Sequence, residues 1–258
     1  MSIRPKKSLG QHFLTDDNII QKIADAIPAE KGHRVIEIGP GTGALTEALV
    51  DRFEDLLAVE LDQRAIEVLE HKFDDLNIHH ENVLEVNWEQ LSVGKEKTHV
   101  VGNLPYYITS QILFSLLEHR AFLSDALLMM QKEVAERLVS DIRTKQYGIL
   151  SVQTQLMCSP EILFSVSRHC FKPQPNVDSV VIKLTFDKGE LNCTDDHLKT
   201  VVRTAFNQRR KKLSNALKPI IPKDQLPEGF DFDKRAEAWP PSEYEKLTAQ
   251  FVEDGILT

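Results

Sequence analysis

A strand-like run, Arg34–Gly39 (RVIEIG), passes without interruption into Gly39-Pro40-Gly41-Thr42-Gly43, and a helical pattern, Ala44–Arg52, follows at once. Glycines at such positions permit positive φ and let a ligand approach the main chain closely. Strand, glycine turn and helix in this order open a βαβ unit, and that unit commits a chain to a parallel sheet. The turn alone is equally compatible with a structural bend or with the dinucleotide fingerprint G-x-G-x-x-G. The spacing here, G-x-G-x-G, is one residue short of that fingerprint.

The alternation continues. Leu56–Glu60 reads as a strand and Gln63–His71 as a helix; Thr98–Asn103 as a strand, then a helix over Thr109–Leu117. Asp125–Gln131 reads as a buried strand and Lys132–Asp141 as a helix. Before the glycine turn, residues 16–27 place apolar side chains at 19, 20, 23, 24 and 27, a helical stripe that Pro28 ends. Two late runs, Ile162–Val166 and Val177–Phe186, lack an intervening helix and are expected to form an antiparallel hairpin at a sheet edge. The reading is therefore an α/β, Rossmann-like fold with a mostly parallel sheet. After about Lys188 the pattern turns helical, with prolines at 219, 222, 227, 240 and 241. The expected organisation is a larger domain over 1–188 and a small helical domain over 189–258.

No apolar run exceeds Ala126–Met130, so no membrane span is expected, and the N-terminus lacks the apolar core of a secretory signal. Cys158, Cys170 and Cys193 form no Cys-x-x-Cys pair, which favours reduced thiols and a cytoplasmic protein over disulfides or zinc. His79, His80 and Glu81 share no ligand spacing with other residues and read as surface groups, so no metal is expected. Net charge is −8, yet His197–Lys223 holds eight Lys/Arg and no acid. Arg4, Lys6 and Lys7 make a second basic patch. An acidic body with local basic patches fits a confined RNA footprint as well as a merely solvated face.

Glu60, seventeen residues after Gly43, ends the second strand, where a carboxylate can accept hydrogen bonds from ribose hydroxyls. Asn82, in the third strand region Ile78–Leu84, would point toward an adenine ring. Together with the shortened glycine turn, these suit adenosine joined to an amino acid better than a pyrophosphate.

Asn103-Leu104-Pro105-Tyr106 follows the strand THVVGN. An adenine N6 is a poor nucleophile because its lone pair is delocalised into the ring. Two acceptors on its N–H groups would free that pair: the Asn103 side-chain oxygen, and a main-chain carbonyl beside the rigid Pro105. Tyr106 can stack on the base. With a sulfonium as activated methyl donor, catalysis needs positioning and polarisation more than a strong base. Phe171, ahead of Lys172-Pro173-Gln174-Pro175, is either a platform for the other face of a flipped adenine or a core aromatic. Arg209-Arg210-Lys211-Lys212 interrupts a helical stripe running through 198–216. A break at Asn207-Gln208, with Asn207 capping a second helix, would set four cations at a helix N-terminus, which an anionic partner explains better than stability does.

These segments resemble the ribosomal RNA adenine N6,N6-dimethyltransferase family across almost the whole chain. They include KSLGQHFLTD (7–16), IEIGPGTGALT (36–46), VELD (59–62), VGNLPYYI (101–108), QKEVAERL (131–138), FKPQPNVDSVV (171–181) and TAFNQRRKKL (204–213). The likeness is greatest to the bacterial KsgA type. The resemblance implies a seven-stranded methyltransferase sheet and S-adenosyl-L-methionine as cofactor. It implies a cofactor pocket lined by His12, Leu14, Gly39, Gly41, Glu60, Asn82 and Asn103. It also implies a target adenine surrounded by Asn103, Leu104, Pro105, Tyr106 and Phe171, and RNA contacts from Arg209, Arg210, Lys211 and Lys212. The implied substrate is two adjacent adenosines near the 3′ end of small-subunit rRNA in a pre-ribosomal particle, acted on by a monomer. Asn82 stands where the family usually has Asp, so its acceptor lacks charge and weaker cofactor binding is expected. His12 stands where many members have Asn. The rival readings are the antibiotic-resistance relative acting on large-subunit rRNA, a non-catalytic RNA-binding protein on the same fold, and, last, a nicotinamide oxidoreductase.

Overall fold

The computed structural model describes residues 12–257, so the basic patch at Arg4, Lys6 and Lys7 lies outside the described residues. The chain forms two compact units, Met1–Ala135 with Glu161–Phe186 and Glu136–Pro160 with Asp187–Thr258. This differs from a division after residue 188, because a helix between the sixth and seventh strands packs with the C-terminal residues.

The first unit is built on a seven-stranded sheet. Its strands are β2 (Arg34–Ile38), β3 (Leu56–Glu60), β4 (Asn77–His80), β5 (Thr98–Asn103), β6 (Asp125–Gln131), β7 (Ser159–Val166) and β9 (Ser179–Thr185), in the order β4-β3-β2-β5-β6-β9-β7. β2 pairs in parallel with both β3 and β5, β4 with β3, and β6 with β5, while β9 runs antiparallel against β6. The expected edge pair therefore exists as β9 and β7 side by side. Central strands are apolar on both faces: LLAVE of β3 is buried at every residue. Helices cover both faces, as parallel connections require. A separate two-stranded sheet joins β1 (Phe13–Leu14) to β8 (Phe171–Lys172), with Leu14 opposite Phe171.

Helix α1 (Asp17–Asp25) starts where Asp16 accepts hydrogen bonds from the Asn18 and Ile19 amides, and it buries Ile20, Ile23 and Ala24. Helix α2 (Thr46–Val50) is shorter than the Ala44–Arg52 pattern, because turns fill residues 41–45. The remaining helices of the unit are α3 (Gln63–Lys72), α4 (Trp88–Ser92) and α5 (Thr109–Glu118). Helix α6 (Lys132–Leu138) crosses the boundary between the units.

The second unit packs α7 (Ile149–Met157), α8 (Asp195–Asn207) and α10 (Pro241–Glu253) around Tyr147, Trp239, Tyr244 and Phe251. Its buried phenols are satisfied: Tyr147 donates to the Trp239 carbonyl at 2.8 Å and Tyr244 to the Ala236 carbonyl at 2.7 Å. The one-turn helix α9 is Leu213–Ala216. No helix among the described residues is long and apolar enough to cross a membrane.

Candidate active site

In an open parallel sheet, ligands bind beyond the carboxyl ends of the strands, where the strand order reverses direction. That switch lies between β2 and β5. A cavity open to solvent sits there. His12, Leu14, Gly39, Gly41, Glu60, Asn82, Asn103, Leu104, Pro105 and Tyr106 all line it. Sequence positions spread over more than ninety residues thus meet at one place. Two glycines make this geometry possible. A Cβ on Gly41, at φ +57, would come within 3.0 Å of the Phe13 ring, and one on Gly102 within 2.7 Å of the Ile38 carbonyl oxygen. The first keeps the turn free of side chains; the second lets β5 lie close against the end of β2.

Glu60 is held rigidly. Its carboxylate accepts the main-chain N–H groups of Gly41 at 3.1 Å, Leu61 at 2.8 Å and Asp62 at 2.9 Å. A carboxylate has about four acceptor sites, so one remains for a ribose hydroxyl. Accepting two hydroxyls requires giving up or sharing an amide. Asn82 is partly committed too: its oxygen accepts the Leu84 amide at 3.1 Å and its amide donates to Glu85 at 3.1 Å. One lone pair of that oxygen is left for an adenine amino group. Deeper in the wall, Glu37 is buried, and Thr46 donates to it at 2.7 Å. Burial, with a further push from the Glu60 charge and against the Thr46 bond, raises its carboxyl to about 8. Glu37 is therefore mostly a neutral acid near pH 7.

On the other side of the cavity, Asn103 ends β5 and donates through Nδ2 to the His12 carbonyl at 2.9 Å. A carbonyl can only accept, so this bond sets the amide's orientation, and Oδ1 is an acceptor with no donor among the described residues. The Pro105 carbonyl is already taken, by Thr109 Oγ1 at 3.0 Å and the Ile108 amide at 3.3 Å. The main-chain acceptor beside the proline ring is then that of Leu104. Tyr106 shares a hydrogen bond with Ser179 at 2.9 Å, and its ring stacks on the His12 imidazole at 5.3 Å between centroids. Burial pushes the Tyr106 phenol up, so it stays protonated.

Phe171 is not part of this cavity. It is 2 % exposed and packs in the main apolar cluster with Leu14, Val166 and Val181. The stiff Lys172-Pro173 segment presents Phe171 to the core, the placement that the core-aromatic alternative expects. Phe171→Ala is expected to cost about 3–5 kcal/mol of unfolding free energy, readable as a fall in the urea midpoint. An unchanged midpoint with impaired turnover would restore the platform role.

The basic stretch also needs correction. The helix does break after Asn207, but Asn207 is the last residue of α8 and Lys212 is the N-cap of α9. Arg209 is engaged inside its own unit. It reaches Glu237 at 2.7 Å and the Lys145 and Thr144 carbonyls at 2.8 Å each. Lys212 pairs with Asp233 at 3.0 Å. Arg210 and Lys211 are exposed. Among the described residues no group of three His, Cys, Asp or Glu side chains could hold a metal ion; His79 bonds Glu81 and His80 bonds the Leu61 carbonyl.

Sequence reasoning missed Glu37, Ser179 and the ring contact between His12 and Tyr106. Glu37 had left a signal, a lone acid inside the apolar strand RVIEIG. The other two depend on chain segments far apart in sequence and left none.

A sheet of this order, with the glycine turn, Glu60 and an Asn-Leu-Pro-Tyr turn at its switch point, has the architecture of a Rossmann-like class I methyltransferase. A family model described as ribosomal RNA adenine dimethylase matches residues 3–237. The chain belongs to that family. It is 44% identical over 250 residues to ribosomal RNA small subunit methyltransferase A of Salinibacter ruber, covering 95% of this chain and 84% of that one. The crystal structure of a dimethyladenosine transferase from Plasmodium falciparum matches with a TM-score of 0.79 and 25% identity, covering 95% of this chain and 98% of that one. That of the 23S rRNA methyltransferase ErmE matches with a TM-score of 0.67 and 25% identity, covering 92% and 98%.

Proposed function

We propose that this chain uses S-adenosylmethionine to dimethylate N6 of two adjacent adenosines near the 3′ end of small-subunit rRNA, acting as a cytoplasmic monomer on a pre-ribosomal particle. The observation that carries the reading is the Asn103 amide, whose donor side is tied to His12 and whose acceptor oxygen is left free at the switch point. Bound in the cavity, the cofactor supplies an activated methyl group on a sulfonium. The residues present fit it: a side-chain-free glycine turn, one open acceptor on Glu60 and one on Asn82.

Asn103 Oδ1 and the Leu104 carbonyl accept the two N6–H groups of the target base, turning its lone pair out of the ring plane and toward the donor. Because the Asn103 amide is already oriented, little reorganisation of it is needed as charge develops on the nitrogen. Tyr106 contributes an aromatic wall. Arg210 and Lys211 are the members of the basic stretch left to meet phosphate, with Arg209 holding its own unit together.

The large-subunit reading keeps the same chemistry and the likeness to ErmE. The 44% identity to a small-subunit enzyme over 95% of the chain favours the first. Transfer of labelled methyl groups to subunits purified from cells lacking the enzyme separates the two. Label is expected as dimethyladenosine at two neighbouring positions of the small-subunit RNA. Label confined to the large subunit would end this reading.

A further inference from the structure

Two methylations on one nitrogen impose a requirement of their own. When the N6–C bond forms, the S–C bond breaks with its electron pair going to sulfur, and N6 is left tetravalent and positively charged. It regains a lone pair only when a proton leaves, so the second transfer waits on deprotonation. Asn103 Oδ1 and the Leu104 carbonyl accept hydrogen bonds but are too weakly basic to take the proton.

The acids of the cavity wall are committed elsewhere. Glu37 is buried against Thr46, Glu60 holds three main-chain amides, Asp62 pairs with Arg64, and Glu81 bonds His79. His12 is different. Its Nδ1 lies 2.7 Å from the Pro173 carbonyl oxygen. A carbonyl cannot donate, so Nδ1 carries the hydrogen and Nε2 is the basic nitrogen of the neutral ring. Pro173 is not among the residues lining the cavity, whereas His12 is. The two ring nitrogens face nearly opposite sides, which turns Nε2 away from Pro173. It has no hydrogen-bond partner among the described residues. The stack on Tyr106 sets this imidazole beside the residues that flank the target nitrogen, and the bond from Asn103 fixes the main chain that carries it.

Resting on the assignment of the target adenine to Asn103–Tyr106, we propose that His12 is the proton acceptor for N6. Nε2 takes the proton, directly or through one water, and the ring becomes an imidazolium whose Nδ1–H keeps its bond to Pro173. The imidazolium then loses the proton to solvent, and monomethylated N6 is ready for the second methyl group.

Two variants separate base from wall. His12→Phe keeps a ring for Tyr106 and removes the base; His12→Ala removes both and leaves space for added imidazole. Single-turnover assays on unmethylated small subunits are expected to show the second transfer slowed about tenfold in both variants. That is less than a positioned base usually contributes, because water accepts the proton more slowly. Monomethyladenosine should accumulate, and imidazole should restore the second step in His12→Ala. In the wild-type protein, ¹⁵N spectra should show the Nδ1–H tautomer. A wild-type ratio of mono- to dimethyladenosine in His12→Phe, failure of imidazole to restore the second step, or an Nε2–H tautomer would each overturn the proposal. Asn103→Ala serves as the control. If it is inactive while His12→Phe behaves as wild type, the site stands and the base assignment falls. If it is active, the assignment of the adenine itself has failed.

Discussion

Asn103→Ala is expected to slow methyl transfer about 10²- to 10³-fold in a single turnover, the loss usual when one pre-oriented polar group is removed from a developing charge. Binding of the RNA substrate should be nearly unaffected, since a neutral amide neutralises no phosphate. The half-buried His12 carbonyl loses its donor but can turn to water, so the fold should survive. Asn103→Asp is the sharper variant. It keeps an acceptor oxygen and the shape of the side chain, yet it cannot donate to the His12 carbonyl, and two acceptors would face each other at a distance now spanned by a 2.9 Å hydrogen bond. If orientation of the amide is what matters, Asn103→Asp should fail almost as badly as Asn103→Ala. A fast Asn103→Asp enzyme would mean that any acceptor serves, and that the bond to His12 has no role in catalysis.

The second large effect concerns stability. Glu37 ionises near 4.5 in the unfolded chain and at about 8 in the folded one. Between these values the folded state holds more protons than the unfolded state, so stability falls as pH rises. The contribution of the neutral acid is fully present below about pH 4.5 and lost by the time pH has risen through about 8. Glu37→Gln keeps an acceptor for Thr46 and has nothing to ionise. The variant should match the wild type near pH 4.5 and exceed it near pH 8 by a few kcal/mol, with about 5 kcal/mol as the ceiling set by the size of the shift. Urea midpoints at the two pH values decide the matter. Parallel curves for the two proteins would show that Glu37 ionises normally in the fold. Cofactor affinity measured on the same samples would tell whether a second charge beside Glu60 disturbs the ribose site.

Much of the first unit could be read from the chain because each element announces itself locally. β2 and β5 are short apolar runs with abrupt polar ends, α1 has a stripe and an Asp cap, and the glycine turn has its own spacing. Helix α7 went unseen for a physical reason. Its sequence, ILSVQTQLM, carries no charge, and Ser151, Val152, Gln153 and Thr154 are all buried, so no polar face exists to mark a helical period. The same omission left residues 136–160 with the larger domain in the sequence reading, whereas the compact units group them with the C-terminal residues. Positions singled out by their own spacing, Gly39, Gly41, Glu60 and Asn103, do meet in the lining of one cavity. For Phe171 the sequence leaves two placements open, since an aromatic before a proline-stiffened segment looks the same whether it faces a base or a core. The partners of Arg209, Glu237 and the Thr144 and Lys145 carbonyls, were not legible because they come from segments 28 to 65 residues away.

The small β1–β8 pairing bears on how the protein is made. Phe13 lies opposite Lys172, Thr15 bonds the Cys170 carbonyl, and His12 bonds that of Pro173, all contacts between the two ends of the first unit. During translation the glycine turn, Glu60 and Asn103 all emerge well before residue 171. A nascent chain can therefore assemble β2 to β6 while its N-terminal segment still lacks the clasp that anchors it. Such long-range pairing carries the highest closure entropy in the unit and is expected to form late. The growing polypeptide would thus hold a cofactor floor before it holds a finished wall, and competence would be delayed until the ribosome has completed most of the chain.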